Sequence, residues 1–135
     1  MRLAPLYTIH FDYPEHYLVR GLEVHGMFFA EGRTQGAVTG RFRGLNHPRL
    51  RHDDVYLPDF QGVIETDDGA LLAFDLRGRA KPAKDCREVV ATLVHYTGDS
   101  RYEHLNDMLC VVAGEARRRD IRLEVAELVW EPPAS

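Results

Sequence analysis

The stretch FQGVIETDDGALLAFDLRG, residues 60–78, decides the fold. Its Asp68-Gly69 pair is typical of the tight turn of a β-hairpin, and the segments on both sides alternate in polarity. With a period of two, the apolar side chains share one face, and they are Phe60, Ile64, Leu72, Phe74 and Leu76. The opposite face carries Asp59, Gln61, Glu65, Asp75, Arg77 and Arg79. An antiparallel sheet usually turns such a face to water, but in a ligand-binding barrel it could line the interior, and the sequence leaves both arrangements open.

The rest of the chain also reads mainly as strand. APLYTIHF (residues 4–11) mixes β-branched and aromatic residues and is predicted to stop at a Tyr13-Pro14 turn. REVVATLVHYT (residues 87–97) would also suit one helix face, but its β-branched content favours a strand. Residues 109–130 predict two strands around a polar turn, in which the arginines 117–119 are expected to be solvated.

Glycines recur every four residues at Gly32, Gly36, Gly40 and Gly44. Charged residues lie between them, so they do not form a membrane helix seam, and no lysine follows them as in a phosphate-binding loop. We interpret them as positions where strongly bent strands turn the corners of a closed sheet. The sequence therefore predicts an all-β fold: a single closed antiparallel β-barrel, lipocalin-like or calycin-like, formed by one domain over residues 1–135.

Composition narrows the classes of function. The 135 residues carry a net charge of −4, which argues against a nucleic-acid partner. No apolar run is long enough for a signal peptide or a membrane span, so we expect a cytoplasmic protein with no membrane partner. The two cysteines, Cys86 and Cys110, lack zinc-site spacing, and Cys110 is predicted to be a buried free thiol. We expect no metal and no cofactor.

One polar cluster interrupts the strands: TGDSRYEHLND, residues 97–107. Ser100 and Glu103 have the spacing of a capping box, which predicts a short helix near residues 101–108. At 100° per residue its apolar side would carry Tyr102, Leu105 and Met108. This helix is expected to plug one end of the barrel.

The candidate site residues lie in and around this cluster. His95 ends the preceding strand, so His95 and His104 would flank the same end of the barrel, and we predict them as the catalytic acid-base pair. Arg101 is a predicted anion clamp, although it could equally pair with Asp99. Tyr102 and His25 complete the predicted ligand-binding set. A structural or surface role remains the alternative for each histidine.

Three segments in order along the chain suggest a family. TDDGALLAFDLRG (residues 66–78), followed by HYTGDSRYEHLND (residues 95–107) and VVAGEA (residues 111–116), resembles a bacterial and fungal family of small proteins catalogued as a domain of unknown function. The resemblance, which covers roughly residues 20–130, implies a lipocalin-like closed barrel. His104 stands where the family usually has tryptophan, and it adds a group that titrates near neutral pH.

These observations leave three hypotheses of function. The first is a barrel that binds a small organic molecule in its interior and acts as an isomerase, cyclase or lyase through His95, His104 and Arg101. The second is a non-catalytic carrier or sensor of such a ligand. The third is a structural module whose surface forms homo-oligomers.

Overall fold

The chain folds into a closed antiparallel β-barrel. The computed structural model describes residues 1–134, with ten strands and one 3-10 helix. Eight strands close the barrel in the order β1-β2-β3-β6-β7-β8-β9-β10, and β10 returns to β1. The two remaining strands, β4 and β5, extend the sheet beside β7. The bounds are Arg2–Arg20 (β1), Val24–Gly36 (β2), Gly40–Asn46 (β3), Arg49–Leu50 (β4), Tyr56–Leu57 (β5), Asp59–Thr66 (β6), Leu71–Ala83 (β7), Cys86–Tyr96 (β8), Cys110–Arg117 (β9) and Asp120–Val129 (β10). The all-β barrel prediction is confirmed.

The barrel interior is filled according to the period-two pattern. β6 and β7 pair as the sequence predicts, with Phe60 opposite Leu76 and Ile64 opposite Leu72, and these side chains are buried. The polar face of this hairpin points to solvent, where Gln61 donates to Asp75 and Arg77 bonds Asp75. The open choice between the two faces is therefore settled: the charged face is outside.

β1 does not stop at Tyr13-Pro14 as the sequence predicts. It continues to Arg20, pairing with β2 on both sides of an irregularity between Asp12 and Glu15. Asp12 lies opposite Glu31 and Glu15 opposite Phe29, so one residue of β2 faces two residues of β1. A β-bulge of this kind leaves its extra residue out of the ladder, and so tolerates a proline that has no N–H to donate.

The glycines of β2 and β3 allow neighbouring backbones to approach closely. A Cβ atom on Gly32 would lie 2.2 Å from the carbonyl oxygen of His10, and one on Gly40 would lie 2.2 Å from that of Glu65. Such separations are far inside van der Waals contact, so only glycine fits without moving the adjacent strand. Close backbone approach is thus what these two glycines provide, and their role at corners of the closed sheet stays a prediction.

The polar cluster forms a plug, although its capping differs from the prediction. The helix is a 3-10 helix over Glu103–Asp107, and its N-cap, Tyr102, makes no side-chain capping bond. The predicted Ser100 capping box is wrong, because the helix begins only at Glu103. In the turn before it, the Asp99 carboxylate accepts from the backbone N–H of Arg101 at 3.0 Å. Leu105 is buried in the core, and Tyr102 and Met108 pack against it, as predicted. No helix within residues 1–134 combines the length and apolarity needed to span a membrane.

Candidate functional site

The two ends of the barrel are built differently. At one end, which we call the plugged end, residues 97–109 fold over the interior, and the side-chain amide of Asn106 bonds both the N–H and the carbonyl of Thr97 at 2.8 and 2.9 Å. At the other, the open end, the β7–β8 and β9–β10 connections are short turns that leave the interior accessible. A site for a ligand is therefore expected at the open end.

The open end contains an apolar cavity of about 350 Å³. This volume lies within the range of small-molecule sites in proteins. The aromatic side chains that line it are Phe11, Tyr13, Phe28, Tyr56 and Phe60. Further in, Phe42 and Phe74 stack at 4.8 Å and contact Phe60. This second layer of rings is buried in the core behind Phe60 and does not line the cavity.

A hydrogen-bonded pair, Tyr13 and Asn46, gives the wall a polar group. The Asn46 carboxamide oxygen accepts from the N–H of Asp59 at 3.2 Å, which fixes the amide so that its nitrogen donates to the Tyr13 hydroxyl at 3.1 Å. Burial raises the pKa of Tyr13 to about 12, so the phenol is neutral. Its oxygen is used as an acceptor, and its proton has no acceptor within residues 1–134. A ligand in the cavity can supply one.

Two arginines lie at the mouth of the cavity. Arg87 stacks over the Tyr56 ring with its guanidinium carbon 4.0 Å from the ring centroid, and it pairs with Asp54 at 2.9 Å. Arg118 is exposed in the β9–β10 turn and also lines the cavity. Within the described chain these are the charged side chains along the cavity, and both are cations.

At the plugged end His95 and Tyr7 form a buried pair. His95 is only 4% exposed, and its Nε2 shares a hydrogen bond of 2.6 Å with the Tyr7 hydroxyl. Burial lowers the pKa of His95 to about 4, so its ring is neutral at pH 7. Its Nδ1 atom has no hydrogen-bond partner in the described part of the chain. Burial also raises the pKa of the nearby Cys110 thiol to about 11, and Cys110 is the buried free thiol that the sequence predicts.

The other predicted site residues lie on the surface. His104 is exposed on the 3-10 helix, while His95 faces the interior, so the structure does not bring the two rings into one pocket. His25 is exposed on β2, where it bonds Glu23 at 3.0 Å and stacks on His47. The acid-base role of His95 and His104 and the ligand role of His25 stay predictions.

Arg101 and Tyr102 have partners within the protein. The guanidinium of Arg101 makes two bonds to the Asp99 carboxylate, at 3.0 and 2.8 Å, and one to the carbonyl of Asp68 at 2.8 Å. Arg101 holds the pKa of Asp99 down at about 2. The Tyr102 hydroxyl donates to the Asp68 carboxylate at 2.9 Å. Both side chains therefore attach the plug to the β6–β7 turn, and the pairing of Arg101 with Asp99 is the alternative that the sequence left open.

The cavity residues carried only weak signals in the sequence. Tyr13 lies in a segment predicted as a turn, and Arg118 lies in a turn predicted to be solvated. Tyr13, Asn46 and Arg87 belong to three separate strands, β1, β3 and β8. The one usable signal is the alternation along β1, which continues from Tyr7, Ile9 and Phe11 to Tyr13.

The comparisons with known proteins concern the fold. No protein-family model and no curated protein matches the chain. A β-barrel-like protein of Acinetobacter baumannii superposes with a TM-score of 0.85 at 17% identity, covering 95% of this chain and 96% of that one. A protein of unknown function from Rhodopseudomonas palustris gives 0.83 at 16%, covering 95% and 97%. One from Clostridium acetobutylicum, also of unknown function, gives 0.85 at 14%, covering 96% and 100%.

At these identities the matches show a shared architecture and no more. The resemblance of the motifs at residues 66–78 and 95–107 to a family of unknown function stays a prediction. What the chain has in common with all three solved structures is a complete small β-barrel, matched over nearly its whole length.

Proposed function

We propose that the protein binds a small, mainly apolar organic molecule in the cavity at the open end of the barrel. The observation that supports this most is the part-buried Tyr13 hydroxyl, a donor without an acceptor within residues 1–134, on the wall of a mainly apolar cavity of about 350 Å³. Apolar walls with few well-placed polar groups are the usual design of small-molecule sites. The aromatic rings supply contact area, and the hydroxyl orients the ligand.

The chemistry of the cavity supports a carrier or sensor rather than an isomerase, cyclase or lyase. Its polar groups include a phenol whose pKa is raised to about 12 and two guanidinium groups. At pH 7 all three are protonated, so they donate hydrogen bonds and are poor proton acceptors. The proposed role is thus non-catalytic ligand binding.

A matched pair of variants, each with one alanine replaced by phenylalanine, tests the location of the site. Ala116 lines the cavity, whereas Ala113 lies three residues earlier on β9 and is exposed on the outer face. Ala116→Phe should fill the cavity and Ala113→Phe should leave it open. The probe is phenylnaphthylamine, an uncharged aromatic fluorophore, titrated into each protein after circular dichroism has shown a folded barrel.

We expect saturable binding at one site in the wild type, unchanged affinity in Ala113→Phe and a loss of at least about tenfold in Ala116→Phe. Should Ala116→Phe fail to fold, Ala80→Phe on β7 fills the same cavity. Equal affinity in the wild type and in a folded cavity-filling variant would show that the probe binds elsewhere, and no binding to the wild type would refute the proposal.

A further inference from the structure

We infer that the ligand is an organic anion, with a flat apolar body among the cavity rings and its anionic group at Arg118 in the mouth. The inference rests on the proposed function, because it names the chemical class of the molecule in the same cavity. It follows from three observations: the sign of the charges along the cavity, the backbone at Arg118 and the free proton of Tyr13.

The first observation is the charge at the mouth. The chain carries a net charge of −4, yet the charged side chains that line the cavity within residues 1–134 are Arg87 and Arg118. Arg87 is held in place by Asp54 and the Tyr56 ring. No salt bridge to Arg118 occurs in the described chain, although its neighbour Arg117 pairs with Glu115. An unpaired guanidinium beside an apolar cavity attracts and orients an anionic ligand.

The second observation is the backbone of the mouth. Arg118 has a φ of 52°, in the left-handed region. The other non-glycine residues with positive φ within residues 1–134 are Asp54, which holds Arg87, and Asp85, in the β7–β8 turn at the same end. Glycine or asparagine occupies such positions at lower energy. An arginine there keeps a long cationic side chain at the cavity mouth despite an unfavourable backbone, which is the pattern expected where a strained residue serves a site.

The third observation indicates which polar group the apolar body of the ligand carries. The Tyr13 hydroxyl lies on the cavity wall with a proton to donate. A carbonyl, ether or carboxylate oxygen would accept it. The ligand class is therefore an aromatic or polycyclic acid that also carries an oxygen acceptor on its apolar body.

A pair of probes with the same ring system isolates the charge. Anilinonaphthalene sulfonate is an aromatic anion, and phenylnaphthylamine is the same framework without the sulfonate. The variants are Arg118→Gln, the charge-preserving Arg118→Lys, and Arg119→Gln as control, because Arg119 is in the same turn but does not line the cavity. Each protein is titrated with both probes, and Ala116→Phe identifies anion binding outside the cavity.

We expect the wild type to bind the anion about tenfold more tightly than the neutral probe at low salt, with the preference falling as salt is added. Arg118→Gln should abolish the preference and leave the neutral probe unaffected, while Arg118→Lys and Arg119→Gln should keep most of it. Equal affinities for the two probes in the wild type, or equal effects of Arg118→Gln and Arg119→Gln, would overturn the inference while the proposed function stands. Failure of the wild type to bind the neutral probe would overturn the proposed function itself.

Discussion

Acid should destabilise the barrel through one buried histidine, His95. Its pKa is about 4 in the folded protein, against an ordinary value of 6.5, because the ring is buried. The folded state thus favours the neutral ring, and the unfolded chain binds a proton more readily at every pH between these values. The contribution of this group is present above the unfolded pKa of 6.5, is lost as the pH falls through the folded pKa of about 4, and levels off below it.

The size of the effect follows from the two pKa values. Linkage gives a loss of about 2 kcal/mol in the free energy of unfolding between pH 7 and pH 5, and about 3 kcal/mol by pH 4. The protonated ring would need an acceptor for each N–H, but Nδ1 has none within residues 1–134, and Tyr7 is the partner of Nε2. Asp99, whose pKa is held at about 2, loses its contribution only below pH 4 and does not interfere in this range.

Urea denaturation at pH 7, 6 and 5 measures the loss directly. His95→Gln removes the titrating group but keeps a side chain that can bond the Tyr7 hydroxyl. It should be less stable than the wild type at pH 7, yet show a flatter dependence on pH. His104→Gln is the matched control, since His104 is exposed, and it should keep the wild-type slope. A His95→Gln slope equal to that of the wild type, or a slope removed by His104→Gln, would refute the reasoning.

Three further substitutions test individual contacts, each by urea denaturation. Asn106→Ala removes both bonds to Thr97 and should lower the free energy of unfolding by about 1–2 kcal/mol. Unchanged stability would contradict this prediction. Gly40→Ala should cost at least about 3 kcal/mol because its Cβ would overlap a carbonyl of the next strand, whereas Gly98→Ala, with nothing within 4 Å, should be neutral or slightly stabilising. Arg118→Gly should stabilise the barrel by about 1 kcal/mol by relieving the positive φ, while weakening the binding of anilinonaphthalene sulfonate; a loss of stability would contradict the backbone argument.

The parts of the fold that depend on local alternation could be predicted from the sequence. Asp68-Gly69 and the period-two pattern around it are sufficient to predict the β6–β7 hairpin and its buried face, because strand geometry links position to face directly. The plug could be predicted in outline, since Leu105 and its neighbours form an apolar side at helical spacing. Its N-terminal end could not, because the turn before the helix is held by Arg101, which bonds Asp99 and the carbonyl of Asp68, a residue distant in sequence.

The candidate site was beyond sequence reasoning for a different reason. Pro14 predicts a turn, and only the partner strand β2 shows that it sits in a bulge, so that β1 continues past it and Tyr13 reaches the cavity wall. In the sequence, Arg118 is one of three consecutive arginines predicted to be solvated. Only closure of the barrel places its turn beside β8. The polar residues near His95 are close together in the sequence, so they can be predicted as one site. The cavity residues are far apart in the sequence and come together only through long-range strand pairing.

The location of the ligand is the central claim, and amide chemical shifts test it most directly. Uniformly ¹⁵N-labelled protein is titrated with phenylnaphthylamine and with anilinonaphthalene sulfonate, and the shifted amides are mapped on the barrel. We predict that the largest changes fall at the open end, on Tyr13, Asn46, Arg87 and Arg118, with the Arg118 turn responding more to the anion. Changes centred on Arg101, His104 and Asn106 at the plugged end, or spread over the outer faces of the strands, would contradict the account.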